Sequence, residues 1–221
     1  MSNAHESRVG GICAIGGSLL LFVGTFLHPA EADPNEPVAA FTEYAADQLW
    51  GVSHLTQFMG IVLIVVALLL LMHQMEQARG WTQIAKGGSI VSLAVAAVLQ
   101  AVDGVTLKVM VDSWAAAPAI QKEELFYAAF AVRQVEIGLA SFSSLVFGLT
   151  VTVCGIALLV DRTYPAWLGG LAIGGSLPVA LSGIVMAFGG FSQLAMSLMM
   201  SASSLLLLWL LILGTVMWRR S

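Results

Sequence analysis

Two histidines (His28, His54), two carboxylates (Asp103, Glu136) and one guanidinium (Arg133) fall at matching depth on four separate hydrophobic runs, with Gln57 and Gln100 beside them. His54 and Gln57, Gln100 and Asp103, and Arg133 and Glu136 are each three residues apart, so in helices each pair shares a face. Two imidazoles and two carboxylates are suitable ligands for zinc or iron, which makes His28, His54, Asp103 and Glu136 the candidate metal ligands. No HExxH or His-x-x-x-His spacing is present, so a metal reading depends on proximity in the fold. Haem is the other cofactor these residues suggest, with His28 and His54 as axial nitrogens and Arg133 near the propionates. Ser53 next to His54 is not a nucleophile–base pair, because adjacent residues point apart on a helix. Arg133 is the expected partner of Asp103, with Glu136 competing for it.

The elements that position these groups follow from composition. The 221 residues are 58% hydrophobic and 10% charged, with a mean hydropathy of +0.90. A water-soluble domain carries about 25% charged residues, so this chain is expected to be solvated by lipid. Runs near the length that crosses a bilayer, about 20 residues, occur at Val9–Leu27, Val52–Met72, Gly87–Leu107, Ile137–Val160, Trp167–Phe188 and Leu194–Trp218. Lipid offers an open backbone no hydrogen-bond partners, so each run is predicted to be a helix. The expected architecture is all-α, a single six-transmembrane-helix domain over residues 1–221.

With six spans both termini lie on one side, which receives Arg8, Arg79, Lys86, Arg162, Arg219 and Arg220 against Glu6, Glu76 and Asp161. The other side receives Glu31, Asp33, Glu36, Glu43, Asp47, Asp112, Glu123 and Glu124, with Lys108 and Lys122. Basic residues in short loops mark the cytoplasmic face, so both termini are expected inside, with the polar residues of spans one to four near the outer boundary. The Ala30-Glu31-Ala32 sequence after the first run resembles a signal cleavage site, but the 19-residue run and the adjacent Pro29 favour a retained helix. Beyond it, VAAFTEYAADQLW (Val38–Trp50) is expected to form an amphipathic helix on the outer surface. Ala119–Val132 is expected to be helical and to run straight into span four.

Gly-Gly-Ser recurs at 16–18, 87–89 and 174–176, each in the half of an odd-numbered span nearer the termini. A phosphate cradle needs a strand–loop–helix setting, so these triplets read as close helix contacts through small residues. Cys13 and Cys154 lie in apolar runs without metal-site or disulfide spacing. Met196, Met199 and Met200 read as flexible packing.

The segment GLTVTVCGIALLVDRTYPAWLGGLAIGGSL (Gly148–Leu177) joins a long helix, a short basic turn and a Gly-rich helix start. It resembles the span four to span five junction of a bacterial six-transmembrane-helix domain-of-unknown-function family of integral membrane proteins. That resemblance implies the six-span architecture and supplies no catalytic residues. The location expected is therefore the bacterial cytoplasmic (inner) membrane. The expected function is binding or sensing a small molecule or lipid in an outward-facing polar pocket lined by His28, His54, Gln57, Gln100, Asp103, Arg133 and Glu136. The alternatives are a metal- or haem-dependent membrane enzyme or electron carrier using His28 and His54, and a small-solute transporter. The lipid bilayer is the one firm partner, and no nucleic-acid partner is expected.

Overall fold

The computed structural model describes residues 3–220. Helices α1 (Asn3–Leu27), α2 (Pro37–Ala46), α3 (Trp50–His73), α4 (Arg79–Ala101), α5 (Lys108–Ala116), α6 (Ala119–Asp161), α7 (Ala166–Gly189) and α8 (Gln193–Arg219) follow one another, with a π-helical segment, Val102–Leu107, joining α4 to α5. No strand occurs among the described residues. Six helical stretches are long and apolar enough to cross a membrane: α1, α3, the continuous Arg79–Ala116 rod, α6, α7 and α8. The protein is an all-α, multi-pass bundle.

The spans close into a ring: α1 packs on α3, α3 on α4, α4 on α6, α6 on α7, α7 on α8, and α8 returns to α1. Lipid provides no hydrophobic drive between helices, so close approach through small residues must supply the contact. The middle glycine of each Gly-Gly-Ser triplet marks such an approach. A Cβ at Gly17 would meet Gly60 O at 2.8 Å, one at Gly88 would run into Thr150 Oγ1, and one at Gly175 would meet Leu206 Cδ2 at 2.8 Å. The Gly148–Leu177 segment does the same for α6 and α7, where Gly155 and Gly169 each face the other's carbonyl. Large side chains such as Phe22, Phe26, Leu55, Ile90, Phe142 and Phe188 are exposed on the outside, where a bilayer covers them.

The two ends of the bundle differ. At the end bearing the termini, Leu71, Met72, Leu158, Leu168, Trp209 and Leu213 belong to the main core. The buried Asp161 ties the loops there, its Oδ2 accepting the backbone N–H of Gln77 at 2.7 Å and of Ala78 at 3.3 Å. The distal end carries a second core of Phe41, Tyr44, Trp50, Leu107, Val111 and Trp114. Here α2 buries Ala40, Phe41 and Tyr44 against protein, chiefly α5, so its apolar face is not offered to lipid as expected from its amphipathic pattern. It also ends at Ala46, short of Leu49, because the Asp47 carboxylate accepts the Leu49 N–H at 2.8 Å and closes a turn. Lys108 donates to the carbonyls of Tyr44 (3.0 Å) and Ala45 (3.2 Å), capping the C-terminus of α2. As expected, α6 runs unbroken from the distal loop; its 43 residues span about 65 Å, twice a hydrocarbon core.

Candidate functional site

His28 sits in the bend directly after α1. Its Nδ1 lies 2.7 Å from the Pro29 carbonyl. A carbonyl only accepts, so Nδ1 carries the hydrogen and the neutral ring keeps its lone pair on Nε2. Burial is the first cause that holds this imidazole below its ordinary pKa, and the nearby His54 and Arg133 act in the same direction against Asp103. The ring packs on Trp50 at 5.0 Å and on His54 at 5.1 Å between centroids.

His54 repeats the pattern one helix away. It is buried in the first turns of α3, where Nδ1 lies 2.8 Å from the Trp50 carbonyl four residues back, and the Trp50 ring stacks on it at 4.6 Å. Contrary to the expectation that adjacent residues point apart, Ser53 Oγ also lies 3.2 Å from Nδ1 while donating to the Trp50 carbonyl. His54 Nε2 faces Asp103 Oδ2 at 3.1 Å. That approach is not aligned as a hydrogen bond: His54 Nε2 and Asp103 Oδ1 are both buried without hydrogen-bond partners. Asp103 reaches this position from the π-helical segment, whose wider turn is confirmed by Thr106 Oγ1 donating five residues back to the Ala101 carbonyl at 3.1 Å. Insertions of this kind recur at functional sites. Two contacts fix the segment against α3. The Trp50 indole donates to the Asp103 carbonyl at 3.1 Å. Gly104 lies so close to His54 that a Cβ there would sit 2.7 Å from His54 Cβ.

The remaining polar residues split into two groups. Gln100 donates to Gln57 Oε1 at 3.3 Å, and its own Oε1 is buried without a partner. Arg133 does not neutralise Asp103 as the sequence suggested. Its Nη1 donates to Glu136 Oε2 at 2.7 Å, with both side chains buried, and the guanidinium lies over the rings of Phe191 at 4.9 Å and Tyr44 at 5.6 Å. The reason is local. On α6 the two residues are one turn apart on one face, while Asp103 is turned toward α3.

One donor atom from each of His28, His54 and Asp103 lies within 4.8 Å of the other two. That trio has the chemistry of a metal-ligand set; Glu136 is committed to Arg133. Haem fits less well, since it needs its axial rings on opposite faces of a flat slot, whereas the His28 and His54 rings are in direct contact and both lean on Trp50. A cavity of about 250 Å³ opens beside the cluster between α3 and α4, lined by Gly51, His54, Leu55, Phe58, Gln100 and Gly104 among others. Its walls are mostly apolar, so the polar side chains converge on one another and do not line a water-filled cleft. Trp50, Tyr44 and Phe191 were absent from the sequence-based set. Trp50 had a usable signal, being four residues from His54 on the same helical face; Phe191, in a distal loop, had none. Compared against protein families, curated proteins and solved structures, the chain gives no match.

Proposed function

We propose that this integral membrane protein binds a small ligand at the distal polar cluster between α1, α3, the π-helical segment and α6. One observation carries the reading: three buried polar atoms from two adjacent spans, His54 Nε2, Gln100 Oε1 and Asp103 Oδ1, have no hydrogen-bond partner. Each orphan costs roughly 1–3 kcal/mol, and buried polar groups in native proteins are otherwise satisfied. A bound species that meets these atoms offsets the cost. The charge bias of the loops supports a bacterial cytoplasmic membrane with both termini inside, which makes the site outward-facing.

The test is native mass spectrometry of the full chain, extracted from its own membrane into lipid nanodiscs. Wild type is expected to carry a stoichiometric adduct that the His54→Leu/Asp103→Leu double variant lacks. A wild-type chain whose mass is that of the polypeptide alone would refute the proposal.

A further inference from the structure

We infer that the ligand is a single divalent transition-metal ion of the zinc class, held by His28, His54 and Asp103. This rests on the binding reading above and names what is bound. Two imidazoles and a carboxylate form a donor set suited to zinc and to other first-row divalent ions. Calcium and magnesium demand oxygen ligands and are disfavoured here.

The hydrogen bonds around the two rings carry the inference further than composition does. A metal-bound histidine ordinarily donates its second ring N–H to a carbonyl or carboxylate, which fixes the tautomer and turns the other nitrogen toward the ion. Both histidines have this arrangement, with Nδ1 of His28 at 2.7 Å from the Pro29 carbonyl and Nδ1 of His54 at 2.8 Å from the Trp50 carbonyl. With Nδ1 used in this way, Nε2 is the nitrogen each ring has left to offer an ion. For His54 that nitrogen faces a carboxylate oxygen at 3.1 Å. Two acceptors at that distance repel unless a proton or a cation lies between them, and the pair is not aligned for a straight N–H···O bond. A metal ion bonds the in-plane lone pair of Nε2 and the carboxylate oxygen at a near-tetrahedral angle, so it lies off the line between the two atoms. In a tetrahedral site with bonds of 2.0–2.1 Å, neighbouring ligand atoms are about 3.3 Å apart, close to the His54–Asp103 separation. The trio spans at most 4.8 Å, so closing it to that spacing needs a movement of at most about 1.5 Å. His28, in the bend after α1, is the one ligand of the three that lies outside a helix. Three protein ligands leave one position open to water or to a second ligand, the pattern of catalytic zinc and not of structural zinc.

The experiment uses the full chain in nanodiscs, stripped with a chelator and titrated with Co²⁺, whose d–d absorption reports its coordination, with metal content read by mass spectrometry after desalting. Wild type is expected to bind one Co²⁺ per chain, displaced by Zn²⁺ and not by Mg²⁺ or Ca²⁺. His28→Gln, His54→Gln and Asp103→Asn should each weaken binding roughly tenfold or more, while His73→Gln at the other end of the bundle should not. Should a site variant fail to fold, wild type alone still decides, through one Co²⁺ per chain and its displacement by Zn²⁺ but not by Mg²⁺ or Ca²⁺. No stoichiometric Co²⁺ on wild type, or unchanged affinity in all three site variants, overturns the metal assignment. If the adduct sought above is found in that case and contains no metal, ligand binding stands and only the metal falls. If neither is found, both fall.

Discussion

Replacing Arg133 by Met probes the one ion pair buried on both sides at the distal end. Arg133 and Glu136 are 6% and 3% exposed, and their charged atoms are 2.7 Å apart. Removing the cation leaves Glu136 buried without its partner, a type of change that costs about 3–5 kcal/mol. The cation–π contacts with Tyr44 and Phe191 vanish too, each worth about 0.5–1 kcal/mol or somewhat more where water is excluded. Glu136→Gln is the milder change, because the amide oxygen still accepts from Arg133 and the guanidinium keeps both aromatic faces; a loss of about 1–2 kcal/mol is expected. In the double variant the orphaned charge is gone, so its loss should fall at least 2 kcal/mol, in rough terms, below the sum of the singles. Reversible unfolding in mixed micelles or steric trapping in bicelles gives the three differences. Additivity within about 0.5 kcal/mol would show that the pair is not coupled and that water reaches the site.

Two further outcomes follow from geometry and charge. Gly104→Ala should destabilise the protein by about 1–3 kcal/mol, because the new Cβ would meet His54 Cβ at 2.7 Å, whereas Gly51→Ala, with open space around it, should gain about 0.5–1 kcal/mol; equal effects in thermal unfolding would contradict this packing. Cysteines placed at the exposed positions Asn35 and Glu123 should react with an impermeant thiol reagent from outside intact cells, and one at Arg79 should not; labelling at Arg79 would reverse the orientation.

The number and order of the spans were readable in the sequence because lipid imposes one requirement, a continuous apolar helix, that each run meets by itself. The unbroken α6 was readable for the same reason: no proline interrupts Ala119–Asp161. The second residues of the Gly-Gly-Ser triplets pointed correctly to close helix contacts. What failed was partner choice. Sequence depth brought Asp103, Arg133, Glu136, His28 and His54 to one level, but depth says nothing about rotation around a helix axis. Asp103 pairs with His54 because a π turn at Val102–Leu107 changes the register of the rod, and nothing in VDGVTL announces that turn. Likewise the role of Lys108 was not readable, because its partners include backbone carbonyls of α2, which have no sequence signature.

The distal core explains how a polar cluster persists where the bundle meets the lipid boundary. A lone imidazole–carboxylate contact at that depth would draw in water or relax toward solvent. Here α2 lies over the cluster, its C-terminal carbonyls held by Lys108, and its Tyr44 ring stands 4.6 Å from Trp50 and beneath the Arg133 guanidinium. Trp50 then serves both sides of the site, stacking on His54 and donating to the Asp103 carbonyl, so α3 and the π-helical segment are tied at one residue. The cap therefore does two things with one set of contacts: it covers the buried His54 and shields the half-buried His28 and Asp103, and it ties together the elements that carry them. A purely structural end to the bundle would need only the first, and an apolar core of Phe, Leu and Trp would supply it at less cost than buried charge. The second holds His54 and Asp103 in one geometry, 3.1 Å apart, which is what the proposed binding reading requires.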